Sequence, residues 1–251
     1  MSGKPAFMNF AVDHMTLLLH PKMYAVAYPV FRIILGVGLE DILYEKRRPQ
    51  SEKQKEKSMT FASSLGKWEP KSGDPLHTVI AVVQPSEPEG EPSHVREMLG
   101  ASPAQWQHIA LRTPDLISFH KHCLEHGVQF VTPILKDDHD NLIQVFSGEW
   151  FYPGSKAPGM FFEFLQRDPS DGELAEIQKA NKETWFRDKT FLGLYDEKEK
   201  EYQSGKVKPF LPEELFNQIL DYIGEKQVWE ITETDLGNIK TMMQEFAKKN
   251  Q

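Results

Sequence analysis

The stretch Gln105-Trp-Gln-His-Ile-Ala-Leu-Arg-Thr-Pro-Asp-Leu-Ile117 decides how this chain reads. Residues 105–112 have the apolar character of a strand, interrupted by a single histidine. Thr113-Pro114-Asp115 then reads as a helix start, because Thr caps well and Pro suits the first helical position. The helix that follows is expected to turn Leu116, Ile117, Cys123 and Leu124 inward and to end at Gly127. Beyond it, Val128–Thr132, Leu142–Phe146 and Met160–Gln166 read as strands, with a turn at Asp137-Asp-His-Asp-Asn141. The order is strand, helix, strand, strand, strand.

The same order occurs more loosely over residues 9–83. Asn9–Leu19 reads as a strand, and alternation puts Phe10, Val12 and His14 on one face. Pro21 opens a helix with Tyr24, Tyr28, Phe31 and Leu35 at spacings of three and four, disturbed by Pro29 and stopped at Gly36 and Gly38. Leu39–Tyr44, Met59–Ser63 and His77–Val83 read as extended. The densely charged run 45–57 reads as a solvated loop or hairpin tip. Ser93–Leu99 is a short helix. The two passes share little text beyond an apolar strand holding a histidine, Val-Asp-His-Met at 12–15 and Trp-Gln-His-Ile at 106–109. Residues 168–251 change character, with helices expected over 173–189, 191–202 and 212–223. A last helix carries Leu236, Ile239, Met243 and Phe246 on one stripe. These helices are expected to pack on a sheet or on a partner subunit.

Composition narrows the function classes. The chain has 251 residues, 39% hydrophobic and 26% charged, with a formal net charge of −8. No apolar run approaches the ~18–20 residues that a membrane helix needs. Met-Ser-Gly-Lys-Pro at the start lacks the basic-then-apolar layout of a secretory signal. The single cysteine, Cys123, excludes an intramolecular disulfide and a Cys-rich zinc site. Together these point to the cytoplasm. The acidic balance argues against nucleic acid as a partner, since phosphate contacts need clustered Lys and Arg.

Nine histidines invite comparison. His20, His77, His94, His120, His122, His126 and His139 fall at element ends, on helix faces or in turns, and read as surface or capping residues. His122 and His126 are spaced i, i+4, with no third ligand nearby in sequence. His14 and His108 differ, because each sits mid-strand among apolar residues at matching positions of the two modules. One such histidine is ordinarily a hydrogen-bonded core residue; two at matching positions suggest a shared site. Glu163, in Gly-Met-Phe-Phe-Glu-Phe-Leu-Gln at 159–166, is the third anomaly. It would face solvent only if its strand lay at a sheet edge, yet alternation groups it with Phe161 and Leu165. A buried carboxylate needs a cation or donors. Two neutral imidazoles and one carboxylate compose the facial triad of non-haem Fe(II) oxygenases.

Trp-Gln-His-Ile-Ala-Leu-Arg-Thr-Pro-Asp-Leu-Ile from 106, Leu-Ile-Gln-Val-Phe-Ser from 142 and Phe-Phe-Glu-Phe-Leu-Gln-Arg from 161 resemble the 4-hydroxyphenylpyruvate dioxygenases of the vicinal oxygen chelate superfamily. Val-Asp-His at 12–14 fits the first metal strand of that family. The resemblance covers about residues 8–205 and implies an α+β fold. Two tandem βαβββ modules, at 8–100 and 101–168, would form an open-barrel metal cup, followed by a helical C-terminal extension at 169–251. It implies His14, His108 and Glu163 as ligands of Fe(II) or another divalent metal. Gln144 would orient substrate, and Ser58, Gln107, Phe146, Phe161 and Phe191 would line its site. Gln107 adjoins His108 and would point to the opposite face unless the strand bends. The implied substrates are an aromatic 2-oxo acid and O₂; the acid loses CO₂ while its ring is hydroxylated. Membrane and nucleic-acid partners are not expected, and a homo-oligomer is left open.

This sequence departs from the family in several places. The family's enzymes usually carry a further pair of modules before the first metal histidine, so the chain resembles the catalytic half. Ser86-Glu87-Pro88 stands for a family Asn-Glu-Pro, His94 stands for a pocket Gln, and residues 206–251 look like an addition. Two other readings share the fold. One is a metal-dependent lyase or isomerase that stabilises an enediolate, and the other is a non-catalytic ligand-binding or accessory protein.

Overall fold

In the computed structural model, Phe61 sits under a helix and fixes which face of a five-stranded run that helix covers. The structure describes residues 4–48, 56–68, 76–88, 90–137, 141–181 and 190–250. The chain divides into one unit of Ala11–Arg112 with Lys198–Lys206, and another of Met1–Phe10, Thr113–Glu197 and Val207–Gln251. The α+β class holds, and so does the double βαβββ order. The first pass is β1 (Ala11–Leu19), α1 (Pro21–Ile33), β2 (Ile42–Arg48), β3 (Lys57–Trp68) and β4 (Leu76–Val83). After α2 (His94–Leu99) comes the second pass: β5 (Ala104–Arg112), α3 (Leu116–Leu124), β6 (Leu135–Asp137), β7 (Leu142–Glu149) and β8 (Phe161–Arg167).

In the unit holding residues 11–112, the strands run β2-β3-β4-β1-β5. β1 lies parallel to β4, and β1–β5, β2–β3 and β3–β4 are antiparallel. His20 caps α1 by accepting from the Lys22 amide at 3.3 Å, and Pro21 takes the first position. Pro29 is accommodated inside the helix, which ends short of Gly36, a residue at φ 69°. Tyr24, Tyr28 and Phe31 meet the Phe61 ring at 5.4, 5.6 and 5.7 Å, each edge to face. Val82, paired with Phe61, and Leu17, paired with Val82, belong to the same packed layer. Because side chains alternate along a strand, Thr16 and its partners Ala81 and His108 occupy the opposite face. The charged run is shorter than expected: β2 continues to Arg48 and β3 starts at Lys57, because alternate burial along β2 rewards pairing. The rest of that run, 49–55, lies outside the described residues.

In the other unit the strands run β8-β7-β6. Three local expectations are corrected. Asp115, not Thr113, caps α3: its carboxylate accepts from the Ser118 amide at 2.9 Å, while Thr113 donates its hydroxyl to the Phe7 carbonyl. The helix buries Leu116, Phe119 and Cys123, whereas Leu124 is exposed. Residues 128–132 form a single bridge, Phe130 to Ser147, and the strand falls later, at β6. Over 128–132 pairing to β7 is confined to two backbone bonds, from the Gly148 amide to the Gln129 carbonyl and from the Val131 amide to the Phe146 carbonyl, while the Gln129 amide turns to the Phe210 carbonyl. Phe119 packs on Phe164 at 4.7 Å, so α3 covers the Phe164 face of β8.

The C-terminal segment is stitched to this unit. It comprises α4 (Asp171–Ala180), α5 (Thr190–Ser204, from residue 198 assigned to the first unit), α6 (Glu213–Ile223) and α7 (Glu233–Lys249). The expected helix over 173–189 is observed only as α4; residues 182–189 lie outside the described ones. Leu215 of α6 and Phe246 of α7 lie over Gly127, where a β-carbon would press into Leu215. Leu236, at the start of the expected stripe, is instead exposed. Glu149 exchanges backbone hydrogen bonds with Lys208 and Phe210, so residues 208–210 run along the end of β7. A β-carbon on Gly148 would collide with the Pro209 carbonyl, whereas one on Gly172 would meet nothing closer than 3.9 Å. Gly148→Ala is therefore expected to lower stability by about 1–3 kcal/mol in urea unfolding, the usual range for overpacking. Gly172→Ala, inside α4, is expected to be neutral or to stabilise by about 0.5–1 kcal/mol.

Candidate metal centre

The two strand histidines come together in the unit holding residues 11–112. Thr16 pairs with His108, and the imidazoles of His14 and His108 stand 5.6 Å apart edge to face. His108 is buried, and His14 keeps about a fifth of its side chain exposed. Burial, reinforced by the charge His14 would carry, holds His108 well below the ordinary histidine pKa. It is therefore neutral at pH 7, the form that ligates a metal.

β1 and β5 are both irregular at the histidines. On β1 the register slips between Val12 and His14, leaving Asp13 as an extra residue. On β5 it slips between Trp106 and His108, leaving Gln107 as an extra residue. Such bulges bend a strand and re-aim side chains. The bend that Gln107 needs is present: its amide reaches His108 Nδ1 at 3.2 Å and Met98 Sδ of α2 at 3.7 Å. The bulge at Asp13 also breaks the expected Phe10–Val12–His14 face, and Val12 is exposed. His108 Nε2 takes a hydrogen bond with the Thr16 hydroxyl at 2.9 Å. Ser58 lies on β3, with its hydroxyl 2.6 Å from that of Tyr24 on α1.

Glu163 belongs to the other unit. It is 3% exposed, on β8, and pairs in register with Phe146 of β7. Gln144 pairs with Leu165, so Gln144, Phe146, Phe161, Glu163 and Leu165 line one face, the side of the sheet away from α3. Phe146 and Phe161 meet edge to face at 6.3 Å and pack with Val131, Leu135 and Leu194 of α5. Phe191 falls in the first turn of α5, with its side chain outside the described residues.

The remaining histidines are partly as expected. His20 is a cap. The His122 and His126 rings lie with centroids 4.2 Å apart, tilted by 40°, and His126 donates to the His122 carbonyl, which spends one ring nitrogen on the helix backbone. His126 is buried, and burial pushes His120 down to about 4 beside Phe130. His139 lies outside the described residues. His94 corrects the surface assignment: it is 1% exposed, and both its amide and Nδ1 reach Glu199 of α5 at 2.8 Å. No sequence periodicity links positions 105 residues apart, so this pair was not legible beforehand. Cys123 is buried and its thiol is pushed up to about 12, which removes thiolate chemistry.

No family model matches the sequence, and no curated protein matches it. Solved structures do match. A triple mutant of 4-hydroxymandelate synthase from Streptomyces coelicolor is similar at 14% identity, over 77% of this chain and 54% of that one, with TM-score 0.48. The chain thus spans about half the length of that synthase. A methylmalonyl-CoA epimerase is similar at 19% identity over 67% of this chain and 100% of that one, TM-score 0.42. Another, from Mycobacterium tuberculosis, is similar at 18% over 70% and 97%, TM-score 0.41. No helix among the described residues is long and apolar enough to cross a membrane.

The His94 contacts pull the Glu199 carboxyl from 4.5 down to about 2. A carboxylate held below its unfolded value stabilises the fold above that value, and the contribution disappears as pH falls through the folded one. Wild-type stability in urea is expected to fall between about pH 4.5 and pH 2. Glu199→Gln should start lower at pH 7 and show a shallower decline over that window.

Proposed function

We propose that His14, His108 and Glu163 hold one Fe(II) ion, and that the chain is a non-haem dioxygenase acting on an aromatic 2-oxo acid. The observation that carries the reading is the pair of imidazoles, His14 and His108, edge to face at 5.6 Å on adjacent strands of one unit; Glu163, a buried carboxylate on β8 of the other, supplies the third donor type. Two imidazoles and a carboxylate suit Fe(II) and leave coordination positions for a bidentate substrate and O₂. A bound ion would supply Lewis acidity and one-electron chemistry.

The chain's own residues account for the rest of the reading. Gln144, on the Glu163 face, offers an amide donor and acceptor to orient a substrate's polar end. Phe146 and Phe161 offer apolar walls that exclude water and suit an aromatic ring. Ser58, Gln107 and Phe191 remain in the proposed set through the resemblance, Ser58 with its hydroxyl 2.6 Å from that of Tyr24 and Gln107 with its amide beside His108.

Anaerobic Fe(II) loading followed by oxygen-electrode assays with aryl and alkyl 2-oxo acids tests this reading. Uptake is expected with an aryl 2-oxo acid, falling at least about 100-fold in His108→Ala or Glu163→Ala, as loss of a whole ligand implies. Metal binding with no uptake on any 2-oxo acid would contradict the dioxygenase. Full turnover of a carbon acid with a redox-inert divalent ion would point to the lyase or isomerase instead. Thr16 supplies a second check, since its hydroxyl competes for the His108 Nε2 lone pair. Thr16→Val is expected to tighten metal binding by about 5–10-fold, the equivalent of one net hydrogen bond.

A further inference from the structure

The two histidines resemble each other in more than their position mid-strand. Each is immediately preceded by the extra residue of a β-bulge, Asp13 before His14 and Gln107 before His108. On a regular strand that preceding side chain would point to the other face; the bulge brings it round to the imidazole. Asp13 Oδ1 lies 3.2 Å from His14 Nδ1, and Gln107 Oε1 lies 3.2 Å from His108 Nδ1. Both preceding side chains are largely buried, Asp13 at 6% and Gln107 at 6% exposed. A carboxylate oxygen and an amide oxygen are both acceptors, so each fits an imidazole protonated on Nδ1.

We propose that Asp13 and Gln107 are paired positioning residues, each accepting a hydrogen bond from Nδ1–H of the histidine that follows it and so assigning Nε2 to the metal, which on His108 takes the place of the Thr16 hydroxyl. This rests on the metal reading and deepens it. The tautomer and the ring orientation are set by the strand itself, before any ion arrives, which lowers the ordering cost of binding. The two arms are not equivalent. A carboxylate partner raises the basicity of its imidazole more than an amide does, so His14 is the stronger donor of the two.

The first readout needs no metal. In the metal-free protein at pH 8, ¹⁵N NMR of the imidazoles should show both rings as the Nδ1–H tautomer. Asp13→Ala should move His14 toward Nε2–H, and Gln107→Leu should do the same for His108. The second readout is Co(II) titration followed by visible absorption. Asp13→Ala and Gln107→Leu should each weaken binding about 10–100-fold, the range for loss of a group behind a ligating histidine. Asp13→Asn, nearly isosteric and still an acceptor, should weaken it less, and it decides the case if the alanine variant fails to fold. Gln107→Glu should tighten binding. Unchanged tautomers and affinities in Asp13→Ala, Asp13→Asn and Gln107→Leu, with binding still abolished in His14→Ala, would overturn the positioning role alone. Co(II) binding that survives both His14→Ala and His108→Ala would overturn the metal reading itself.

Discussion

The antiparallel pairing of β1 with β5 is the constraint on which the candidate site depends. Phe61 pulls α1 onto one face of the five-stranded run. The opposite face is left to Thr16, His108 and His14. A regular pair would have alternated its side chains and sent Asp13 and Gln107 away from the histidines. The two bulges break that alternation at the two positions where a histidine follows. The pairing thus fixes the His–His separation and also gathers polar partners around the rings.

Burial gives this arrangement its chemical character. In low dielectric an imidazole resists protonation, and His108 is held neutral. Glu163 sits on a face otherwise composed of Gln144, Phe146, Phe161 and Leu165. Removing a carboxylate from water into such surroundings is costly unless a cation or donors meet it. A neutral His108, a second imidazole on the neighbouring strand and a buried carboxylate are the donor types that a divalent cation takes. That is the physical basis for reading the three residues as one centre rather than as scattered core polar groups.

Much of the fold was legible because its signals are local. The βαβββ order followed from apolar runs, Pro21 at a helix start and Gly36 at its end. The matching histidine strands singled out His14 and His108, and alternation put Glu163 with Phe161. What escaped was set by tertiary pairing. A bulge leaves no periodic signature, so Gln107 looked misdirected and Asp13 drew no attention. Residues 128–132 have strand-like composition, but only two of their backbone bonds reach β7, at Gly148 and Phe146, and the Gln129 amide goes to Phe210 instead. Thr113 and Asp115 were both competent caps, and a hydrogen bond from Thr113 to the Phe7 carbonyl left the role to Asp115. His94 looked like a surface residue because its partner, Glu199, comes from a distant helix.

X-ray absorption at the iron edge of the anaerobically Fe(II)-loaded full chain tests the central claim most directly. One iron per chain is expected, with two imidazole nitrogens at about 2.0–2.2 Å and the remaining positions filled by oxygen, the distances usual for first-row metals. A spectrum without imidazole scattering, or with the same two imidazoles after His14→Ala and His108→Ala are combined, would contradict it.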